Sequence, residues 1–402
     1  MSGPLTGLTV LDLSRVLSGP YCTMQLADMG ARVIKVEHPA HGDDTRAWGP
    51  PWVGDGETRE SSYFLSVNRN KESVALDFKT RDGRAVLDQL IARADILVEN
   101  FRPGTLAKQG LDYASLAAKH PRLIYASISG FGQNGPRAAE AGYDAMVQAE
   151  GGLMSITGVP DAPPVRLGVA IADIAAGLFA TQGILLALIA RGTTGRGQYV
   201  DIGMYDATLA LLTYQAERTL VTGTAPTRLG NMHASIAPYN TYAASDGTLV
   251  LAVGNDDQWQ RFCAVASLPD AGADVRFTTN DSRVRHYDAL HPIVAQAIAS
   301  DTIDGWLARL RAAGVPAGAV RNIDAVLADA QTAARAMVAT TTHATLGAVP
   351  VLGLPVKLSD TPGAVRSAPP VLGQHTAGIL AELGIGADAI TALSRSGVVK
   401  CA

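Results

Sequence analysis

The sequence predicts an α/β fold: a doubly wound, Rossmann-like large domain carrying a smaller α+β domain. Three observations lead there. Short apolar runs alternate with helical stretches through the N-terminal half. The texture changes near Pro226 to a hairpin followed by short helices. The chain then returns through a last helical stretch and a Pro- and Gly-rich end. Domains usually run to roughly 100–200 residues, so a 402-residue chain is expected to form two or three lobes. We expect a large domain from residues 1–228 and 327–402, and a small domain from 229–326.

The elements follow in order. Leu8–Leu13 (LTVLDL) is a strand. Gly19-Pro20 opens a helix over Tyr21–Met29, and Gly30 stops it as a C-terminal cap. Arg32–Glu37 (RVIKVE) is the next strand. Two strands around one helix make a βαβ unit and imply a parallel sheet. Ser73–Phe78 is a strand, Asp82–Ala94 a helix and Asp95–Glu99 a strand. Pro103 begins a short helix, and Leu123–Ser129 is a further strand. Gly142–Glu150 and Ile174–Ala190 read as helices, Tyr199–Ile202 as a strand and Met204–Leu220 as a helix. In the smaller domain, Tyr239–Ala244 and Leu249–Val253 flank Asp246-Gly247, a favoured tight-turn pair. Helices are expected near Asp257–Ser267, Tyr287–Ala299 and Thr302–Ala313, the last capped by Asp301 and stopped by Gly314. Two more follow, near Ile323–Val338 and His375–Gly384.

Composition removes several function classes. Hydrophobic residues are 47% and charged residues 17% of the chain, too apolar a balance for a disordered protein. The net charge is −4, with no basic run to neutralise a phosphate backbone, so nucleic acid is not an expected partner. Three scattered cysteines, Cys22, Cys263 and Cys401, make no disulfide framework, and a reducing cytoplasm is the expected compartment. MSGPLTGLTV lacks the basic and apolar regions of a secretory signal. Ile171–Ala190 is long and apolar enough for a membrane span. Asp173, Thr181 and Gln182 interrupt it, so a buried core helix is expected and no membrane.

The first βαβ turn, Ser14 to Pro20, lacks G-x-G-x-x-G, so a dinucleotide has no glycine cradle. Glu37 ends the second strand, the place of a ribose-binding acid in a dinucleotide site. No G-x-S-x-G elbow occurs. Cys22 reads as an inert buried residue rather than a thiolate. His38 and His41 lack the companions of a metal site. Asp173 is different. It lies in the first turn of a strongly apolar helix, where the dipole favours its ionised form by roughly 0.3–1 kcal/mol. A poorly hydrated carboxylate there is either a nucleophile or an ordinary helix cap.

These residues resemble the class III CoA-transferases, which include formyl-CoA:oxalate and carnitine CoA-transferases. The resemblance runs through Gly7–Arg46, Asn68–Thr80, Val98–Leu111, Gly142–Gly158, Pro163–Gly177, Thr194–Ala207 and Pro369–Thr376. It implies Asp173 as the catalytic residue. It implies CoA contacts at Val16, Leu17, Ser18, His38, Leu76, Lys79, Asn100, Phe101, Arg102 and Lys108, with Tyr143 and Asp144 lining the same site. It also implies an interlocked homodimer, acyl-CoA and a carboxylic acid as substrates, and no permanently bound cofactor. Asp173 would attack the donor thioester to give a mixed anhydride and then an aspartyl-CoA thioester. Many relatives use dicarboxylates, so succinyl-CoA with a dicarboxylate acceptor is the expected pair.

The sequence departs from the formyl-CoA enzyme. His38 stands where that enzyme has Arg, Gly142 where it has Lys, and its glycine-rich loop has no counterpart near Leu229–Pro238. Two other readings stay open: an α-methylacyl-CoA racemase of the same fold, and a non-catalytic CoA-binding protein. The racemase branch carries a His in a G-H-D segment, and this chain reads Gly142-Tyr143-Asp144 there.

Overall fold

A computed structural model describes residues 3–402. Met1 and Ser2, with which the expected large domain begins, lie outside the described residues. The chain forms two compact units. One runs to Leu153 and takes in Leu167–Glu217 and Ala330–Ala402. The other comprises Met154–Arg166 and Arg218–Asp329.

The first unit is built on a seven-stranded sheet. Its strands are β1 (Thr9–Asp12), β2 (Arg32–Glu37), β3 (Lys71–Leu76), β4 (Ile96–Glu99), β5 (Ile124–Ser129), β6 (Tyr199–Gly203) and one further edge strand, Val399–Lys400. Their order is Val399–Lys400, β3, β2, β1, β4, β5, β6. All neighbours are parallel except the edge pair, where Val399 opposes Leu76 in antiparallel register. Side chains alternate between two faces, as the pleat requires. Val10, Val33 and Ile96 enter a core with helices α1 (Ser18–Asp28) and Ile171–Thr194. Leu11, Ile34 and Leu97 enter the opposite core with the helix Arg81–Arg93.

Ile171–Thr194 meets the length and apolarity of a membrane span. Its Ala172, Ala175, Ala176, Ala180, Ile184 and Ala187 are buried in the core. The other side shows Leu178, Phe179, Leu185, Leu186 and Ile189, the last 71% exposed.

The second unit has a three-stranded sheet in which Gly247–Ala252 pairs with Tyr239–Ala244 and Ala317–Ala319. Leu249, Leu251, Trp259, Phe262, Phe277 and Trp306 build its core.

Several boundaries differ from expectation. The hairpin turn is Ser245-Asp246, because Gly247 already pairs with Ala244. Thr302, not Asp301, caps the helix Ile303–Ala312 by accepting the Gly305 N–H. The stretch Met204–Leu220 is two helices, Met204–Leu211 and Thr213–Thr222, broken where Thr213 adopts φ 41°. Pro103 leads into turns and a 3-10 turn at Ala107–Gln109 rather than a helix. Over 323–338 the alanine-rich sequence gives only Ile323–Leu327 and Ala330–Ala334. Val338–His343 is a strand, held by its antiparallel partner Gly347–Leu352.

Candidate active site

The C-terminal ends of β1, β2 and β4 converge where an α/β sheet receives ligands. The turn after β1 is held open there from below. Buried Asp12 accepts hydrogen bonds from the Ser14 N–H and hydroxyl, from Thr23 Oγ1 and from Lys71 Nζ at 3.1 Å. Buried Lys35 donates to Ser14 O at 2.9 Å and pairs with Asp43 at 2.9 Å. Asp43 in turn accepts the Val16 N–H at 3.3 Å. The Asn100 side chain accepts from Arg15 N at 2.8 Å and donates to Arg15 O at 2.7 Å. These bonds bracket Val16, whose φ of 69° is strained for a β-branched residue.

The buried charges follow from this pairing. Burial alone would raise the Asp43 carboxyl, but Lys35 and the Thr45 hydrogen bonds outweigh it and bring it down to about 2. Burial lowers Lys71 to about 8, with Asp12 opposing. Glu37 is occupied as well. It receives Arg46 Nε at 2.7 Å and Nη2 at 2.9 Å, Ser73 Oγ at 2.6 Å and Asp43 N at 3.0 Å, so no lone pair is left waiting for a ribose. Cys22 is fully buried, and burial pushes its thiol up to about 12.

The turn delivers Ser18 to the start of α1, opposite Asp173 in the first turn of Ile171–Thr194. The two helices come this close because Gly177 sits between them. A Cβ on Gly177 would lie 2.7 Å from Ser18 O. Dipole reasoning alone expected Asp173 to be held ionised. Burial, and then the charge of Asp144, instead raise it to about 6, against the opposing pull of the Ser18 hydroxyl and N–H. Desolvation outweighs the dipole, whose worth is only about 0.3–1 kcal/mol. At neutral pH the group is still mostly ionised.

Two cavities meet around Arg15 and Phe101, which line both. The first, about 160 Å³, is walled by His38, Leu76 and Lys79 among others. His38 and His41 stack there, with ring centroids 4.3 Å apart. The second, about 190 Å³, contains Val16, Ser18, Asn100, Arg102, Tyr143 and Asp173 in its walls. Leu17, Lys108 and Asp144 line neither cavity. Leu17 packs inward on Met24 and Val67, and Lys108 is exposed in the 3-10 turn.

Sequence reasoning missed two residues of this region. Arg15 lies over the Phe101 ring at 5.3 Å, between the cavities. Its only sequence signal is a cation inside the first βα turn. Tyr63, on the helix Ser62–Val67, feels Asp173, Asp144 and Asp43. Burial first and then these carboxylates push its phenol up to about 12, so it stays a hydrogen-bond donor. Nothing in the local pattern around Tyr63 announces this.

The arrangement therefore offers a partly desolvated carboxylate, two adjoining cavities, and nearby cations in Arg15, Arg102 and Lys79. The description CoA-transferase family III matches residues 5–376. A succinate–glutarate CoA-transferase of Agrobacterium fabrum is 43% identical over 382 residues, covering 94% of this chain and 96% of that protein. An acetyl-CoA:oxalate CoA-transferase of Acetobacter aceti is 43% identical over 370 residues, covering 91% and 92% respectively. The crystal structure of a CAIB/BAIF family protein from Brucella suis superposes with a TM-score of 0.86 at 43% identity, covering 95% of this chain and 100% of that one.

Proposed function

We propose, from the premise that this chain belongs to CoA-transferase family III and is an enzyme that transfers CoA, that it moves CoA from succinyl-CoA to a dicarboxylic acid through Asp173. The observation that carries the reading is Asp173 itself: a carboxylate raised to about 6 by burial, facing Ser18 and open to a cavity. Little water surrounds it, so its lone pairs are available to an acyl carbon.

Each step balances. An Asp173 oxygen attacks the thioester carbonyl, the C–S bond breaks, and CoA leaves as thiolate. A mixed anhydride remains. The thiolate then attacks the aspartyl carbonyl, releases the donor acid as carboxylate and leaves an aspartyl-CoA thioester. The acceptor carboxylate runs the same two steps in reverse. The Ser18 N–H and hydroxyl are suited to stabilise the oxyanion that forms at the aspartyl carbonyl. Arg15, Arg102 and Lys79 supply the charge that CoA phosphates need. The first cavity would take one end of CoA and the second the thioester.

The dicarboxylate acceptor is supported by the glutarate enzyme among the relatives, and the oxalate enzyme keeps the shortest dicarboxylate in play. Tyr143 stands where a racemase would carry its histidine, so the second acid/base that α-proton exchange needs is not at that position. The test incubates the enzyme with succinyl-CoA and a panel of acids that includes glutarate and oxalate. Mass spectrometry should show a new acyl-CoA in step with free succinate. Deuterium entering Cα of a 2-methylacyl-CoA in D₂O, with no transfer to any acid, would replace this reading with a racemase.

The same reading includes a doubly wound, Rossmann-like large domain, an interlocked homodimer and a cytoplasmic location. The exposed apolar side of Ile171–Thr194 supports a second copy of the chain, since contiguous apolar patches mark interaction surfaces. The three free cysteines fit a reducing compartment. Tagged and untagged dimers mixed at native pH should exchange subunits only over many hours. Heterodimers appearing within minutes would remove the interlock.

A further inference from the structure

The helix that carries Asp173 begins without a cap of its own. Ala170 stands at the N-cap and has no side chain to accept the first free N–H groups. The acceptor comes from a different helix, Asp144–Glu150. Asp144 Oδ1 accepts the Ala172 N–H at 2.9 Å, one residue before the nucleophile.

Asp144 is itself held. Gln148, one turn along the same helix and fully buried, donates to Asp144 Oδ2 at 2.7 Å. Its Oε1 accepts the Leu167 N–H at 2.9 Å. Leu167, Gln148, Asp144 and Ala172 thus form one chain of hydrogen bonds. It ties down both ends of the segment leading to Asp173. On the other side, the absence of a Cβ at Gly177 lets the same helix lie close to Ser18 O.

We infer that Asp144 is a positioning residue for CoA transfer: it caps the turn bearing Asp173 from a neighbouring helix and so sets that carboxylate against Ser18. The inference deepens the reading of Asp173 as nucleophile and rests on it. It also gives Asp144 a task other than lining the CoA site. A capping residue needs only an acceptor for the helix N–H, which an asparagine supplies to Ala172 at the loss of the Gln148 bond. The charge of Asp144 has a second effect, because it adds to burial in keeping Asp173 less acidic. Asp144 acts on Asp173 in this way, and Tyr63 in turn responds to Asp173. Arg15, Asp44, Arg102, Glu140 and Tyr143 line the same cavity as Asp173.

Two substitutions separate geometry from charge. Asp144→Ala removes the cap, and kcat should fall roughly 10- to 100-fold, the scale of a small misplacement of a reacting group. KM for the acyl-CoA should change less than about threefold, because the residue positions and does not bind. Asp144→Asn keeps an acceptor for Ala172 but turns its amide nitrogen toward the Gln148 donor, so it should recover only part of that kcat. Without the negative charge, Asp173 becomes more acidic, so the acid limb of the rate profile should move to lower pH than in wild type. Hydrogen exchange provides a readout free of turnover. A peptide spanning 167–176 should lose more protection in Asp144→Ala than in Asp144→Asn.

Wild-type kcat in Asp144→Ala, with Asp173→Asn inactive, would overturn the positioning role alone. A loss in Asp144→Ala that falls entirely on KM would make Asp144 a binding residue and overturn it too. Wild-type activity in Asp173→Asn would instead sink the nucleophile and the catalytic part of this inference together.

Discussion

Asp173→Asn should abolish CoA transfer and at the same time make the protein more stable at neutral pH. Loss of a nucleophile commonly costs on the order of 10⁴–10⁶ in kcat, and Ser18 and the surrounding cavity remain in place to bind acyl-CoA. The stability gain follows from linkage. The Asp173 carboxyl is raised in the folded protein from 3.8 to about 6. Between those values the native state holds a proton that the unfolded chain has released, so stability falls as pH rises through this window. Above pH 6 the whole cost is present, up to about 3 kcal/mol at 1.36 kcal/mol per unit. An amide carries no such cost and can still accept from Ser18. Melting curves at pH 7.5 should place the variant above wild type, with the gap closing near pH 4. Hydroxylamine added to wild type with an acyl-CoA donor should convert Asp173 to a hydroxamate. Turnover surviving in the variant, once deamidation to Asp is excluded by mass, would end the mechanism. A variant less stable than wild type at pH 7.5 would end the account of the desolvated carboxylate.

Lys35→Met should destabilise the first unit by about 3–5 kcal/mol, the usual result of removing one partner of a buried ion pair. Lys35 and Asp43 are both fully buried and 2.9 Å apart, and Lys35 also satisfies Ser14 O. Without the lysine, Asp43 keeps a buried charge and the Ser14 carbonyl loses its donor. The pH dependence has a definite sign. In wild type Asp43 is lowered to about 2. Its contribution is therefore present above the unfolded value near 4 and is lost as pH falls through 2. The variant lacks that contribution at pH 7 and has less to lose in acid. The two unfolding curves should converge below pH 4. The double variant Lys35→Met/Asp43→Leu should recover part of the loss. A single variant within 1 kcal/mol of wild type at pH 7 would show that the pair does not hold the turn.

The parallel sheet was legible because its strands are short apolar runs separated by helices with clear stops, such as Gly30 after α1. The first turn of an apolar helix was legible at Asp173, since one acid interrupts a long hydrophobic run. What could not be read is whatever depends on distant partners. Val338–His343 contains threonines and an alanine that suit several conformations, and only Gly347–Leu352 makes it a strand. The raised Asp173 carboxyl is a matter of burial and of Asp144, 29 positions earlier in the chain. Tyr63 reaches the same region from a helix whose sequence, SYFLSV, carries no sign of a site. The tight-turn reading of Asp246-Gly247 erred by one residue, because strand register, not the dipeptide alone, chose which residues lie in the turn.

The edge of the large sheet has a consequence for how the chain emerges from the ribosome. Strand β3 is synthesised early and pairs with β2 on one side, yet the partners on its other edge come late. Ser73 N–H donates to His375 Nδ1, 302 residues on, and Ala75 N–H to Thr376 Oγ1, 301 residues on. The antiparallel strand Val399–Lys400 arrives later still. At roughly 5–20 residues per second, that separation leaves the edge unpaired for about 15–60 s. An open strand edge is a template for pairing with other nascent chains. The interval between synthesis of the two halves is thus the stage at which this protein most needs a chaperone's cover.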